Sequence, residues 1–143
     1  SSAGFGLVMH QEQNPSKHIT IDSIKEFREL TEIKLKSKAS GLLMVGGGVP
    51  KNFVQDTVVC AELLGKKVDM HKYAIQITTD SPQWGSLSGC TFEEAVSWGK
   101  EDPEGQLVQC YCDATIALPI FSHALCERLD NFKRQGKKLF KFF

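Results

Sequence analysis

The sequence lacks a surplus of charge of either sign, since 17 Lys and Arg residues balance 17 Asp and Glu residues in a chain of 143. Zero net charge argues against nucleic-acid or membrane binding driven by bulk electrostatics. No apolar run approaches the ~20 residues of a membrane-spanning helix, and no secretory signal is recognised at the start. We therefore expect a cytoplasmic protein that has neither nucleic acid nor a membrane among its partners.

The chain also lacks the cysteine patterns of a metal site or a disulfide framework. Its five cysteines are an odd number, and none of them forms a CxxC pair. Cys110 and Cys112 would share one face of a strand, but a single pair does not make a zinc site. We expect reduced, buried thiols and no metal.

What the sequence does contain is an alternation of apolar strands and amphipathic helices. Predicted strands cover residues 41–45, 73–79 and 107–112, and predicted helices cover residues 24–38, 53–64, 91–100 and 116–135, with Pro119 in the first turn of the last helix. This repeated order of strand, loop and helix predicts an α/β domain with a Rossmann-like, mostly parallel sheet and flanking helices.

The two ends of the chain do not follow this alternation. Residues 1–20 are expected to be irregular, residues 21–135 to form the domain, and residues 136–143 to form an apolar tail. Ser1 stands where an initiator methionine would be expected. It indicates either a trimmed chain or a piece cut from a longer one, and self-processing at this serine is one hypothesis.

Ligands in parallel α/β sheets bind beyond the carboxyl ends of the strands, which points to three loops. The glycines at 46–48 suit either a tight turn or close contact with a phosphate or sugar. The loop at residues 80–89 offers hydroxyls and glycines for hydrogen bonds to a ligand, but it equally suits a solvated loop. Asp113 serves either as a helix cap or as an acceptor for ribose hydroxyls.

The segment TFEEAVSWGK holds three further candidates, each with an ordinary structural interpretation. Lys100 in a last helical turn would complement the helix dipole. Glu94 would be the acid of a capping box, and Trp98 would be a core residue. Spacing alone does not separate these roles from chemical ones.

Taken together, these segments resemble the C-terminal portion of the deoxyhypusine synthase family, and in particular its bacterial-type, deoxyhypusine-synthase-like branch. The resemblance runs from about residue 21 to 129 and rests on GLLMVGGGVPKN, YAIQITT, GSLSG, EEAVSWGK and YCDAT in this order. Because full-length members are more than twice as long, the resemblance implies the C-terminal part of a larger domain. The N-terminal part would complete the enzyme, either in the same chain or as a separate one.

The resemblance implies an NAD-dependent transfer of an aminobutyl group from spermidine. In this chemistry a lysine attacks an imine, releases 1,3-diaminopropane and holds the group as a Schiff base before an acceptor amine receives it. The family's nucleophilic lysine falls on Lys100, which must be uncharged to attack. The acid that holds a cationic amine falls on Glu94, and the stacking indole falls on Trp98. A homo-oligomer, the family's tetramer, is also implied.

Two further groups of positions follow from the resemblance. Contacts to NAD fall on Gly46, Gly47, Gly48, Thr79, Ser86, Ser88 and Asp113. Asn52 and Asp56 stand where the eukaryotic enzymes have histidine and asparagine, and Trp84 and Leu87 stand where they have aspartates. These departures affect how cations and ribose are held.

The departures leave three functions open. The first is deoxyhypusine synthase, whose acceptor is a lysine of the translation initiation factor 5A precursor. The second is homospermidine synthase or a related polyamine aminobutyltransferase, whose acceptor is putrescine. The third is an inactive regulatory subunit, against which the presence of Lys100, Glu94 and Trp98 argues.

Overall fold

A parallel sheet forms the centre of the computed structural model, which describes residues 2–84 and 90–131. Three strands, β1 (Gly41–Val45), β2 (His71–Thr78) and β3 (Glu101–Tyr111), lie in the order β1-β2-β3. Both neighbouring pairs are parallel, and the register pairs Gly41 with Tyr73 and Ala74 with Leu107. Helices flank the sheet, so the predicted α/β class with a parallel sheet is confirmed.

The described residues form six α-helices and one short 3₁₀ turn at Pro82–Trp84. The helices are α1 (Ser2–Gln13), α2 (Ser23–Lys36), α3 (Val49–Gln55), α4 (Thr57–Leu63), α5 (Phe92–Ser97) and α6 (Ala114–Asn131). None of them is both long enough and apolar enough to cross a membrane. The predicted tail at residues 136–143 lies outside the described residues.

The prediction of an irregular segment at residues 1–20 was wrong, because helix α1 occupies most of it. Its apolar residues show no amphipathic period, and Phe5 and Val8 are exposed to 69% and 70%. Helix α1 therefore has no buried face. Its sequence consequently lacks the amphipathic repeat of apolar residues from which helices are predicted. The Gln11 Oε1 atom accepts a hydrogen bond from the Ile19 backbone at 3.2 Å and ties the segment after the helix back to it.

The single helix predicted at residues 53–64 is divided at Asp56 into α3 and α4. The Thr57 hydroxyl donates to the Val54 carbonyl at 2.7 Å, an interaction that bends helices. Gly65, with φ 69°, then ends α4 in a Schellman motif, as the sequence predicted.

Helix α5 ends at Ser97 and not near Lys100, so the predicted boundary was wrong by about one turn. Gly99, with φ 71°, donates to the Val96 carbonyl, and Lys100 donates to the Ala95 carbonyl, each at 2.9 Å. This Schellman motif makes the chain leave the helix at Gly99.

Strand β3 begins at Glu101 and not at Leu107, so the predicted start was wrong, and an irregularity interrupts its pairing with β2. Glu101 pairs with His71, whereas the next pair along β2 joins Tyr73 to Gln106. A Cβ atom on Gly105 would lie 2.6 Å from the Lys72 carbonyl oxygen, so this bulge requires glycine.

Helix α6 begins two residues earlier than predicted and places Pro119 in the helix interior and not in its first turn. The Asp113 carboxylate accepts from the Thr115 backbone at 2.8 Å and caps the first turn. The end predicted at residue 135 lies outside the described residues.

The apolar core is small and has buried polar groups around it. Met44, Ala74 and Phe92 form its centre, with Leu42 and Leu107 packed against them. A larger group of polar side chains is buried nearby and consists of Thr31, Lys34, Lys51, Gln55, Thr57, His71, Gln76, Thr78 and Glu101. Buried polar groups of this kind require partners, and several of these groups lie next to the predicted site residues.

Candidate active site

The backbone of Lys100 is fixed on both sides at the amino end of β3. Its N–H group donates to the Ala95 carbonyl at 2.9 Å, and its carbonyl accepts from the His71 N–H group at 3.0 Å. Lys100 thus lies beyond the last turn of α5, in the segment that joins this helix to the sheet. Its side chain starts from a rigid position, as a reactive group requires.

The Lys100 ammonium group forms a short ion pair with Asp56. Nζ lies 2.7 Å from Asp56 Oδ1, and the two side chains are exposed to 11% and 42%, respectively. Asp56 is the residue between α3 and α4, so the junction of these helices directs its carboxylate towards the start of β3. A charge-assisted hydrogen bond at this distance positions the amine.

Trp98 lies beside the same amine and is not a core residue. Its indole is 65% exposed, and Lys100 Nζ lies 5.9 Å from the centre of the ring. This distance is within the range of a cation–π contact. The exposed ring offers a free face to a ligand.

Two adjoining hollows join these side chains to Asn52. One, of about 440 Å³, is lined by Phe27, Asp56, Val59, Cys60, Leu63, Trp98 and Lys100. The other, of about 420 Å³, includes Asn52 and shares Phe27 and Asp56 with the first. The structure therefore brings together four of the predicted residues, namely Asn52, Asp56, Trp98 and Lys100.

Glu94 does not line either of these hollows. Its backbone N–H group donates to Thr91 Oγ1 at 3.2 Å, which caps α5 as the sequence predicted. Burial and the neighbouring Glu94 carboxylate raise the pKa of the Cys90 thiol. Glu94 thus lies on the side of α5 that faces Cys90 and Lys51.

The predicted cofactor residues lie at the carboxyl edge of the sheet. Gly46 donates to the Ile77 carbonyl at 2.7 Å, and Cys112 donates to the Thr78 carbonyl at 3.1 Å. These bonds bring the turn at residues 46–48 together with Thr79 and Asp113. Hydrogen bonds from Thr115 lower the pKa of the Asp113 carboxyl, which is exposed. Ser86 and Ser88 lie outside the described residues.

Lys100 and the predicted cofactor loops lie at opposite ends of the strands: Lys100 at the amino ends and the loops at the carboxyl ends. The Lys100 carbonyl bonds to the first residue of β2, whereas Cys112 bonds to its last. An eight-residue strand is roughly 23 Å long at a rise of about 3.3 Å per residue. Hence one chain does not bring its Lys100 backbone close to its own glycine turn.

Sequence reasoning missed a buried polar group next to the site, centred on Lys51. Lys51 Nζ donates to Gln76 Oε1 at 2.9 Å and also to the Cys90 carbonyl. Gln109 Nε2 donates to the same Gln76 oxygen at 3.2 Å. Burial lowers the pKa of the Lys51 ammonium group. The sequence did contain a signal for this group: a glutamine lies in the middle of each of two apolar strands, Gln76 in β2 and Gln109 in β3.

A second missed group lies under the ion pair itself. Gln55 Nε2 donates to Glu101 Oε1 at 3.0 Å, and both side chains are fully buried. Burial raises the pKa of Glu101 to about 7, although the Gln55 hydrogen bond and the charges of Lys34 and Lys51 act in the other direction. No periodicity in the sequence indicates this pair, because its members are far apart along the chain.

The third missed group joins α2 to the start of β2. Lys34 Nζ donates to Ser40 Oγ at 2.5 Å, and this hydroxyl lies 2.8 Å from His71 Nδ1. Burial, with the nearby charge of Lys34, lowers the pKa of His71 to about 4. His71 is therefore uncharged at neutral pH, so its imidazole ring does not repel the Lys34 ammonium group.

Comparison with known sequences decides the family. The sequence model of the deoxyhypusine synthase family matches residues 1–125. The chain belongs to the deoxyhypusine synthase family. The match begins at residue 1 and not near residue 21, so it includes α1.

Curated relatives agree with this assignment. The chain is 57% identical over 144 residues to the "Deoxyhypusine synthase-like protein" of Coxiella burnetii (strain RSA 493 / Nine Mile phase I), covering 99% of this chain and 41% of that protein. It is 53% identical over 134 residues to the "Probable deoxyhypusine synthase 2" of Methanosarcina acetivorans, covering 94% of this chain and 38% of that protein. It is also 53% identical over 122 residues to the "Deoxyhypusine synthase-like protein" of Chlorobaculum tepidum, covering 85% of this chain and 35% of that protein.

The chain thus spans about two-fifths of the length of the curated relatives it matches. The matched segment is their C-terminal part. The predicted resemblance to the C-terminal portion of this family is confirmed.

Proposed function

We propose that this chain supplies the reactive lysine of an NAD-dependent enzyme that transfers the aminobutyl group of spermidine to an acceptor amine, and that the acceptor is a lysine of the translation initiation factor 5A precursor. The observation that supports this best is the Lys100 amine. It is nearly enclosed, lies 2.7 Å from a carboxylate and has an exposed indole beside it. Membership of the family supplies the reaction type.

The chemistry of the two hollows suits a polyamine. A polyamine alternates cationic amines with methylene segments, and it requires both carboxylates and apolar walls. Phe27, Val59 and Leu63 provide apolar surface, and Asp56 provides a carboxylate at the boundary between the hollows. The face of Trp98 is available to stack on a cationic amine.

Lys100 would act as the nucleophile of the transfer. Its Nζ attacks the imine carbon of the oxidised spermidine, the bond to 1,3-diaminopropane breaks, and the aminobutyl group stays on Lys100 as a Schiff base. Lys100 must lose a proton before it attacks. Asp56 is the carboxylate placed to accept that proton or to hold the cation until the amine is free.

The glycine turn at the carboxyl edge suits the NAD that the family implies. Gly46 and Gly48 have φ of 79° and 75°, and a Cβ atom on Gly46 would meet no other atom within 4 Å. The turn therefore presents its backbone to open space, where a phosphate or ribose fits. NAD supplies hydride acceptance and return. Gly47, Thr79 and the capping Asp113 would help to hold it, together with Ser86 and Ser88.

We propose that a complete site needs more than one chain. The Lys100 edge and the glycine edge of one chain are separated by the length of β2, so the cofactor edge would come from another copy in a homo-oligomer such as a tetramer. The N-terminal part found in longer relatives would add further contacts. Asn52 and Glu94 would complete the polyamine contacts. We further propose a cytoplasmic location, which suits an enzyme with such substrates.

An assay with two acceptors tests this function. The complete protein is incubated with NAD and radiolabelled spermidine, together with either the factor precursor or putrescine. Label on the precursor supports the proposal, and label in homospermidine instead identifies a polyamine aminobutyltransferase. If neither acceptor is labelled, the chain is an inactive regulatory subunit and the proposal is rejected.

A further inference from the structure

The buried Gln55–Glu101 hydrogen bond lies directly behind the ion pair of the site. Gln55 precedes Asp56 in the chain, and Glu101 follows Lys100. Two neighbouring contacts, Gln55 with Glu101 at 3.0 Å and Asp56 with Lys100 at 2.7 Å, therefore join the end of α3 to the start of β3. The first contact is fully buried, whereas the second reaches the hollow.

We propose that Gln55 and Glu101 are positioning residues, whose buried hydrogen bond fixes where Asp56 Oδ1 meets Lys100 Nζ. The inference rests on the proposed function of Lys100 as nucleophile. The hydrogen bond sets the distance between the helix end and the strand start, because both residues adjoin the reactive pair. A buried bond between two enclosed side chains transmits position better than an exposed ion pair does.

The atoms that lack partners indicate how this pair is arranged. Among the described residues, only three buried side-chain atoms have no hydrogen-bond partner, and two of them are Gln55 Oε1 and Glu101 Oε2. A single proton on Glu101 Oε2 would donate to Gln55 Oε1 and satisfy both. A carboxylic acid and an amide then share two parallel hydrogen bonds, which fixes their relative orientation.

The surroundings of Glu101 agree with an acid that is uncharged below about pH 7. The groups that face it are Lys34 from α2, Lys51 from α3 and its strand neighbour His71 from β2. Lys34 and Lys51 have partners of their own, namely Ser40 and Gln76. Burial outweighs these charges and raises the pKa of Glu101 to about 7. An uncharged Glu101 also leaves Lys100 with Asp56 as its partner.

Two substitutions at Glu101 distinguish the effect of its hydrogen bonds to Gln55 from the effect of its charge. Glu101→Gln keeps an acceptor for Gln55 and places an N–H donor where Oε2 stands, so it preserves both hydrogen bonds. Glu101→Leu removes them. Glu104→Gln is the matched control, since it makes the same change at an exposed residue of the same strand. The double variant Gln55→Leu/Glu101→Leu leaves no unpaired polar group and is used if the single leucine variant does not fold.

The reactivity of Lys100 is measured directly in the complete protein. Trinitrobenzenesulfonate labels free amines, and peptide mass spectrometry gives the labelling rate of Lys100 as a function of pH. We expect Glu101→Gln and Glu104→Gln to match the unsubstituted protein. A looser ion pair frees the amine, so Glu101→Leu, or the double variant, should label about fivefold faster, a factor that corresponds to the loss of one weak ion pair.

Turnover supplies the second readout, because a displaced nucleophile lowers kcat more than it raises KM. Rescue of both readouts by Glu101→Gln supports the proposal. Labelling of a folded leucine variant at the unsubstituted rate would overturn it, as would a glutamine variant that behaves like the leucine variant. Labelling needs no catalysis, so an unsubstituted protein without transferase activity contradicts the proposed function and leaves the positioning test intact.

Discussion

Asp56 Oδ1 and Lys100 Nζ meet at 2.7 Å, one from the junction of two helices and the other from the first step into a strand. The contact is asymmetric, since the lysine side chain is 11% exposed and the aspartate 42%. A ligand can therefore reach the carboxylate more easily than the amine. This arrangement suits a site in which the Asp56 carboxylate binds a cationic group of the ligand and the Lys100 amine lies deeper in the site.

Substitution of Lys100 tests the nucleophile. We expect Lys100→Arg, which keeps the positive charge, to abolish the adduct that borohydride traps in the presence of NAD and radiolabelled spermidine, because a guanidinium does not lose its proton. The label is located by peptide mass spectrometry. Lys66→Arg, at an exposed lysine beyond α4, is the control and should trap adduct normally. An undiminished adduct in Lys100→Arg would remove Lys100 from this role.

The sheet could be predicted from the sequence, but the contacts between distant residues could not. The apolar runs predicted β1 and β2 correctly, and the segment EEAVSWGK made Lys100 a candidate that stays a prediction. The start of β3 was missed because its bulge places polar residues and Pro103 in the strand. The Gln55–Glu101 pair was missed because periodicity describes local order, whereas this bond joins different elements.

Substitution of Asp56 tests the carboxylate. Asp56→Asn keeps the shape of the side chain and removes its charge, so the lysine and any substrate cation lose their partner. We expect kcat/KM to fall about five- to tenfold, since partly exposed ion pairs contribute ~1 kcal/mol. Steady-state kinetics with spermidine measure this change. Asp69→Asn, at an exposed aspartate, should have no effect, and an equal loss in both variants would contradict the role of Asp56.

Substitution of Trp98 tests the stacking face. The indole is 65% exposed, so Trp98→Ala should change the free energy of unfolding by no more than about 0.5 kcal/mol. Spermidine binding should nevertheless weaken, with a rise of several-fold in KM, because the cation loses its ring. Trp98→Phe keeps an aromatic ring, so its KM should lie between those of the unsubstituted protein and Trp98→Ala. A large loss of stability with unchanged KM would show that the ring packs and does not bind.

The buried acid predicts a loss of stability as the pH rises from 4.5 to 7. Burial raises the pKa of Glu101 from its ordinary value of 4.5 to about 7 in the folded chain. Its contribution to the free energy of unfolding is thus fully present below pH 4.5 and is lost as the pH rises through 7. His71 acts in the opposite direction over almost the same range, so the test is a difference: the urea-unfolding midpoint of Glu101→Gln relative to that of the unsubstituted protein should rise from pH 5 to 7 and stay level up to pH 9. A difference between the two proteins that does not change with pH would show that Glu101 is not held uncharged by burial.

The buried histidine predicts the opposite dependence over nearly the same pH range. Burial lowers the pKa of His71 from its ordinary value of 6.5 to about 4 in the folded chain, so the unfolded chain takes up the proton first as the pH falls. The stability that His71 contributes is present above pH 6.5 and is lost as the pH falls through 4, by up to roughly 3 kcal/mol. Urea-unfolding midpoints from pH 7.5 to 4 measure this. Relative to the unsubstituted protein, the midpoint of His71→Gln should rise as the pH falls from 6.5 to 4, whereas that of His18→Gln, at an exposed histidine, should not. If the midpoints of all three proteins depend on pH in the same way, protonation of His71 does not lower the free energy of unfolding. Burial would then not hold the ring uncharged.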